Sequence, residues 1–300
     1  MKLIARGLTL EWPRRPLIMG IVNLSADSFS GDGLADVGAA LEKARGLVAD
    51  GAEIIDVGAE SARTNRAPIS EAEEAAQLVR FIERWEEGRN QESGVRGQGS
   101  NSADSCPLTP DSLPLLSVNT WRPTVARAAL AAGGHILNDI GALPTDENAR
   151  ICAETGAALL IMHSVGVPKV AHTHVGYDDV MTRLASFFTE KIALAERAGV
   201  PRDAIILDPG IDFAKQRADN LRIFRELDRL APFARPILLP VSRKTVIGEV
   251  LGLSDPADRD AGTVACIVQG MLRGASIFRV HNVRAAAHAV RIIAAVESAA

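Results

Sequence analysis

Residues 135–163 read HILNDIGALPTDENARICAETGAALLIMH, and this stretch carries the plan of the whole chain. His135–Asn138 and Ala157–His163 are short apolar runs without the alternation of a half-exposed strand, and each ends on a polar side chain. Such runs suit strands buried on both faces, as in a parallel sheet. The pattern recurs in Pro16–Asn23, Glu53–Val57, Pro114–Asn119, Ala204–Asp208, Pro236–Ser242 and Ala275–His281, giving eight runs in all. Helical patterns fill the gaps: Ala75–Trp85 after a Ser70/Glu73 capping box, Ala-rich Arg122–Ala132 up to Gly133-Gly134, then Tyr177–Ala198, Asn220–Leu230, Arg259–Leu272 and Val283–Glu297. Strand alternating with helix predicts a parallel α/β architecture. Eight units, with no Gly-x-Gly-x-x-Gly after the first strand, favour a closed (β/α)8 TIM barrel over an open doubly wound sheet.

The strand ends point to one functional face. Seven of the eight runs close on, or within a residue of, Asn23, Asp56, Asn119, Asn138, His163, Asp208 and His281; the other ends at Ser242, followed by Arg243-Lys244. In a barrel these positions ring one mouth, where the loops after the strands build the active site. Turn chemistry alone accounts for Asn, Asp and Ser at such places. It does not readily account for two His residues and a Ser-Arg-Lys. Lys2–Trp12 alternates around Arg6-Gly7 and predicts an N-terminal β-hairpin plugging the barrel bottom. Residues 1–300 therefore read as one domain, with Gly88–Ser112, polar and nearly free of bulky apolar residues, as a flexible insertion on the non-catalytic side.

Composition narrows the function classes. With 300 residues, 47% of them hydrophobic, the chain can bury a large core, and a net charge of −4 gives no basic field for nucleic acid. Any anion site must be local. Cys106, Cys152 and Cys266 have no metal-binding spacing and suit a reducing compartment. No apolar stretch is long enough to span a bilayer, and charges and prolines interrupt Met1–Arg15 where a signal peptide would be apolar. A cytoplasmic protein is expected.

Six motifs now carry a resemblance. Ile18–Ser30 (IMGIVNLSADSFS), Ile55–Arg63 (IDVGAESAR), Leu137–Ile140 (LNDI), Leu207–Phe213 (LDPGIDF), Ser242-Arg243-Lys244 and Arg279-Val280-His281 follow one another on successive strands. In that order they resemble the dihydropteroate synthases, over the chain from about Pro16 onward, the insertion excepted. That family joins 4-aminobenzoate to a dihydropterin bearing a CH2-pyrophosphate. The C–O bond breaks, pyrophosphate leaves, and the aniline nitrogen attacks the pterin-CH2 cation.

The resemblance implies three subsites. The pterin would be held by Asp208, whose carboxylate can accept two adjacent ring donors, by the mixed amide of Asn138, by Lys244, by Asn119, and by Arg279, whose guanidinium plane can stack on the ring. Asp-Pro-Gly is also ordinary turn chemistry, which is the plainer reading of Asp208. Asn23 would be the ligand of a Mg2+ cofactor, an ion that takes few protein oxygens, while Arg63, Arg279 and His281 neutralise the pyrophosphate. His281 could instead be a core histidine, though Arg279, two residues earlier, points the same way on a strand. The aminobenzoate would lie among Phe29, Phe213, Ser242 and Thr64, its carboxylate at the helix start after Ser242, where free N–H groups favour anions. Phe is also a common core filler. Asn119, Lys244, Arg63 and His281 would stand nearest the reacting bond.

Several positions depart from the family pattern. Asn119 and Asn282 stand where it has Asp, Ser61-Ala62-Arg63-Thr64 replaces Ser-Thr-Arg-Pro, Asp212 and Ala214 flank Phe213 in place of glycine, and Ala26 replaces Pro. An amide at Asn119 lacks the negative charge of the family's acid, which could slow the chemistry while binding survives. Two alternatives therefore stay open: a pterin-binding paralogue with weak or different activity, and a pterin-dependent methyltransferase, which would not need Arg63, Ser242-Arg243-Lys244 or Arg279-x-His281. The family resemblance, with the apolar residues of Arg259–Leu272, also predicts a homodimer through the seventh and eighth helices.

Overall fold

The computed structural model describes residues 1–12, 14–24, 37–60, 67–95, 114–170 and 175–299. The alternation near the N-terminus folds as a hairpin, β1 (Lys2–Ala5) antiparallel to β2 (Leu8–Glu11). Its turn puts Arg6 at φ 47°, and the strain is held by two anchors: Arg6 N–H donates to the Gly156 carbonyl at 2.7 Å and its guanidinium to the Leu130 carbonyl at 2.6 Å.

The eight apolar runs are β3 (Leu17–Asn23), β4 (Ile54–Gly58), β5 (Leu115–Asn119), β6 (Ile136–Asp139), β7 (Ala158–Met162), β8 (Ile205–Asp208), β9 (Leu238–Pro240) and β10 (Ile277–Val280). They pair in parallel in the order β8-β7-β6-β5-β4-β3-β10-β9. A parallel bridge between Leu207 and Ile237, with Leu207 N–H donating to the Pro236 carbonyl at 3.0 Å, joins the two ends into a closed barrel.

Both faces of the strands are buried, which explains their unbroken apolarity. Ile18, Val22, Ile55, Val57, Leu116 and Val118 point out and pack under the helices. Leu17, Met19, Ile54, Leu115, Ile136, Leu160, Ile206 and Ile277 point in, and Leu3, Ala5 and Leu10 of the hairpin join that inner cluster, closing the bottom as expected. The period of two is decisive above this layer. It turns Asn23, Asp56, Ser117, Asn119, Asn138 and Asp208 into the barrel axis, and Asp139 and His163 out among the helices.

The helices are α1 (Val37–Ala49), α2 (Glu71–Val95), α3 (Pro123–Ala131), α4 (Glu147–Thr155), α5 (Val180–Arg197), α6 (Arg217–Glu226), α7 (Thr245–Leu251), α8 (Asp260–Leu272) and α9 (Val283–Ser298). Ser70 caps α2, accepting the Glu73 N–H at 3.2 Å. α2 runs on to Val95, eight residues into the stretch read as an insertion; residues 96–112 lie outside the described residues. The short α7, sited between β9 and α8 at the mouth, is an element the sequence reading did not separate from the Ser-Arg-Lys loop.

Candidate active site

A cavity of about 410 Å3 opens at the carboxyl ends of the strands. Its floor is apolar, with Ile21, Ile140, Met162 and Pro240, and its wall is ringed by strand-end polar groups. Of the residues expected here, Asn23, Asn119, Asn138, Asp208, Phe213, Ser242, Lys244, Arg279 and His281 all line it. Phe29, Arg63 and Thr64 lie outside the described residues.

Asp56, which the sequence reading assigned no role, organises the strand-end polar groups of β5, β6 and β10. It is fully buried and accepts from Ser117 Oγ at 2.6 Å, Arg279 Nε at 2.7 Å, Asn138 Nδ2 at 3.1 Å and Asn119 Nδ2 at 3.3 Å. Its signal was present in the sequence: an acid ending an apolar strand in the inward register. Because both amide NH2 groups turn to Asp56, Asn119 Oδ1 and Asn138 Oδ1 are buried acceptors without a partner among the described residues. Leaving such an acceptor unmet costs about 1–3 kcal/mol. Arg279 reaches Asp56 edge-on through Nε, an ion pair within the wall of the cavity.

Asp208 is 3% exposed, and Oδ1 accepts the Gly210 N–H at 2.7 Å. The turn reading of this residue is thus correct for one oxygen. Oδ2 has no hydrogen bond among the described residues and belongs to the cavity wall. Burial pushes the carboxyl up to about 6, against the pull of the Gly210 N–H, Lys244, Lys215 and Arg279. Gly210 has φ 67°, and a Cβ there would stand 2.0 Å from the His163 carbonyl oxygen, so no other residue fits the turn. Lys244 donates to the Ile211 carbonyl at 2.7 Å and sits 5.0 Å above the Phe213 ring; burial lowers its pKa, while Asp212 and Asp208 oppose the shift.

At the opposite side His281 and Ser242 form a unit. Ser242 Oγ lies 2.8 Å from His281 Nδ1 and accepts the His281 backbone N–H at 3.1 Å. Ser242 therefore orients the imidazole. Asn282 takes no part in this: its Oδ1 caps α9 through the Ala285 N–H at 3.1 Å, and its Nδ2 donates to Asp260. Arg243, at φ 55°, forks onto Asp260 through Nε and Nη2.

Two expectations need correction. His163 does not belong to the mouth. It points outward, buried against Phe187 with ring centroids 4.8 Å apart, and burial holds its pKa down to about 2, so it is neutral. Its Nδ1 faces Lys215 Nζ at 2.9 Å. The N–H groups at the start of α7, expected to be free for a substrate carboxylate, are not free either: Thr245 N–H and Val246 N–H both donate to the carboxylate of Asp212. The sequence reading also missed Lys215, whose buried Nζ donates to the Gly210 and Phe213 carbonyls at 2.9 and 3.0 Å and fixes the turn that presents Phe213; burial lowers its pKa to about 7.

Known proteins are similar to this chain in sequence and fold. The pterin binding enzyme family matches residues 19–92 and 110–281. The chain is 34% identical over 307 residues to the dihydropteroate synthase of Escherichia coli K12, spanning 100% of this chain and 98% of that one. It superposes on Xanthomonas albilineans dihydropteroate synthase with 4-aminobenzoic acid at TM-score 0.84 and 33% identity, over 100% of both chains. The same enzyme in complex with 7,8-dihydropteroate gives TM-score 0.81 and 32% identity, again over 100% of both.

Proposed function

This chain belongs to the pterin-binding family of dihydropteroate synthases, and we propose that its mouth condenses 6-hydroxymethyl-7,8-dihydropterin pyrophosphate with 4-aminobenzoate to 7,8-dihydropteroate and pyrophosphate, a transferase step of folate biosynthesis. The observation that carries the pterin assignment is the polar rim of an apolar-floored cavity, which Asn119, Asn138, Asp208, Lys244 and Arg279 line together. A flat heterocycle with hydrogen-bonding edges suits such a pocket.

The chemistry divides among named residues. Asp208, Asn138 and Asn119 hold the donor edge of the pterin, and Lys244 faces its acceptor atoms. As the pterin-CH2–O bond breaks, its electron pair leaves with the pyrophosphate, and positive charge spreads into the ring. In this reading Asp56 and Asp208 stabilise that charge, and His281 and Arg279 receive the departing anion, with Arg63, outside the described residues, expected to join them from the resemblance. The aniline nitrogen then donates its lone pair to the CH2 carbon and loses a proton to solvent water. Asn23, exposed at the end of β3 and lining the cavity, offers one amide oxygen to a Mg2+ ion. No cluster of three His, Cys, Asp or Glu suited to a metal exists among the described residues, so the remaining ligands would be phosphate oxygens and water. Bound there, that ion would supply charge neutralisation for the leaving group.

The exposed apolar residues Leu272 at the end of α8 and Ile292 and Val296 on α9 support a homodimer through these helices. No described helix is long and apolar enough to cross a membrane. The proposed compartment is the cytoplasm, which the few, widely spaced cysteines suit. The direct test of function is pyrophosphate release on mixing the pterin pyrophosphate with 4-aminobenzoate. Release dependent on both substrates is expected. Tight pterin binding with no release would leave a binding paralogue instead.

A further inference from the structure

The cavity wall beside the start of α7 contains a carboxylate. Asp212 lies between Phe213 and the start of α7, and all three line the mouth. Its backbone is at φ 68°, a conformation that a side chain disfavours, and Ala214 two residues on is at φ 50°. The strained turn is clamped. Asp212 N–H donates to Asn220 Oδ1 at 2.9 Å, and Asn220 Nδ2, 2% exposed as a residue, returns a bond to Asp212 Oδ1 at 3.2 Å. Lys215 ties down the carbonyls on either side. The carboxylate so held accepts both the Thr245 and the Val246 N–H.

We propose that Asp212 is a specificity-determining residue of the amine slot: its own carboxylate takes the backbone donors that an acidic aromatic amine would use. This rests on the synthase reading above. A 4-aminobenzoate entering the slot meets a wall of like charge whose donors are satisfied, and must displace Asp212 from α7 to bind as an anion. An aniline without the carboxylate meets no such competition. The consequence is a weak KM for anionic amines and an amine range shifted toward neutral ones.

Asp212→Gly and Asp212→Asn in the full chain test this, with 4-aminobenzoate and the neutral 4-aminobenzamide compared by pyrophosphate release at saturating pterin pyrophosphate. Glycine suits the backbone angle, and Asn tolerates it, so both variants keep the turn. The KM for 4-aminobenzoate should fall at least tenfold in Asp212→Gly and several-fold in Asp212→Asn, with the KM for 4-aminobenzamide moving less than threefold. Equal shifts for the two amines, or a rise for 4-aminobenzoate, would overturn the proposal. Calorimetric affinity of each amine for the pyrophosphate-bound protein reads the same ratio without turnover. A chain that binds pterin but never turns over would thus sink the synthase assignment and still decide the role of Asp212.

Discussion

Asn119→Asp is the most informative single change. Asn119 Nδ2 lies 3.3 Å from Asp56 Oδ2, and Asp56 is wholly buried. Replacing the amide by an acid puts two carboxylates at that spacing. At an effective dielectric of about 20, two unit charges so placed repel by about 5 kcal/mol, and the hydrogen bond from the amide is lost as well. Arg279, already bonded to Asp56, offsets part of this. The new acid escapes the rest by keeping its proton, so its folded pKa stands above its unfolded one. Stability is then intact below the ordinary carboxylate pKa and is lost as pH rises through the raised value. The variant should melt near the parent below about pH 4 and be destabilised by about 2–4 kcal/mol at pH 8, with pterin affinity falling in parallel. Turnover should not increase, because Asp56 already supplies the negative charge at this place. Thermal melts at the two pH values, pterin calorimetry and single-turnover pyrophosphate release measure each part. An unchanged melting point at pH 8 together with a tenfold faster chemical step, about 1.4 kcal/mol of restored stabilisation, would refute this reasoning and mark Asn119 as a lesion.

Three further outcomes are expected. The Asp208 carboxyl, raised to about 6, must ionise to accept the pterin donors, so pterin affinity should fall about tenfold from pH 7 to pH 5; Asp208→Asn should lose about 2–4 kcal/mol of binding and this pH dependence with it, and calorimetry across the range checks both. Arg279→Ala should destabilise the barrel by about 3 kcal/mol, since it strands the buried Asp56 charge, while His281→Ala should weaken pyrophosphate binding with the melting point nearly unchanged; equal melting points for the two would refute the distinction. Ile292→Glu, a change at a side chain 64% exposed, should turn a dimer into a monomer in sedimentation; a parent already monomeric at micromolar concentration would count against the α8–α9 seam.

Most of the barrel was legible because a strand buried on both faces leaves a mark that needs no partner to be read: an apolar run closed by a polar residue. All eight runs became strands within a few residues of their expected ends. The same rule, applied without its period of two, put His163 in the mouth on equal terms with Asp56 and gave the acid no role. Counting inward positions along β7, Ala158, Leu160 and Met162, excludes His163; along β4, Ile54 and then Asp56 include the acid. Parity was thus available in the sequence and would have separated the two. Nothing local announced that Asn138 and Asn119 would turn their NH2 groups toward one carboxylate, because β4, β5 and β6 meet only when the sheet forms. Lys215 was unreadable for a related reason: its partners are two backbone carbonyls and a histidine 52 residues away. The short α7 hid behind a Ser-Arg-Lys motif whose chemistry drew the reading away from its backbone.

The two charge changes at the mouth belong together physically. At the pterin end an acid of the family pattern is an amide, and the remaining acid, Asp56, is matched by Arg279. At the amine end a glycine of that pattern is an acid, Asp212, set near Lys244, where it is the leading influence holding the buried ammonium in its charged form. Burial favours a neutral lysine, and a neutral lysine would still bond the Ile211 carbonyl but would give up its charge over the Phe213 face and toward the pterin. Asp212 therefore acts on both substrates. Through the α7 amides it obstructs an anionic amine, and through Lys244 it sustains the cation that faces the pterin. Removing it should consequently separate the two effects: aminobenzoate binds more tightly, while the pterin contact made by Lys244 becomes more sensitive to alkaline pH. A protein in which Asp212→Gly improves amine binding without any alkaline loss of pterin affinity would show that Asp208 alone keeps Lys244 charged.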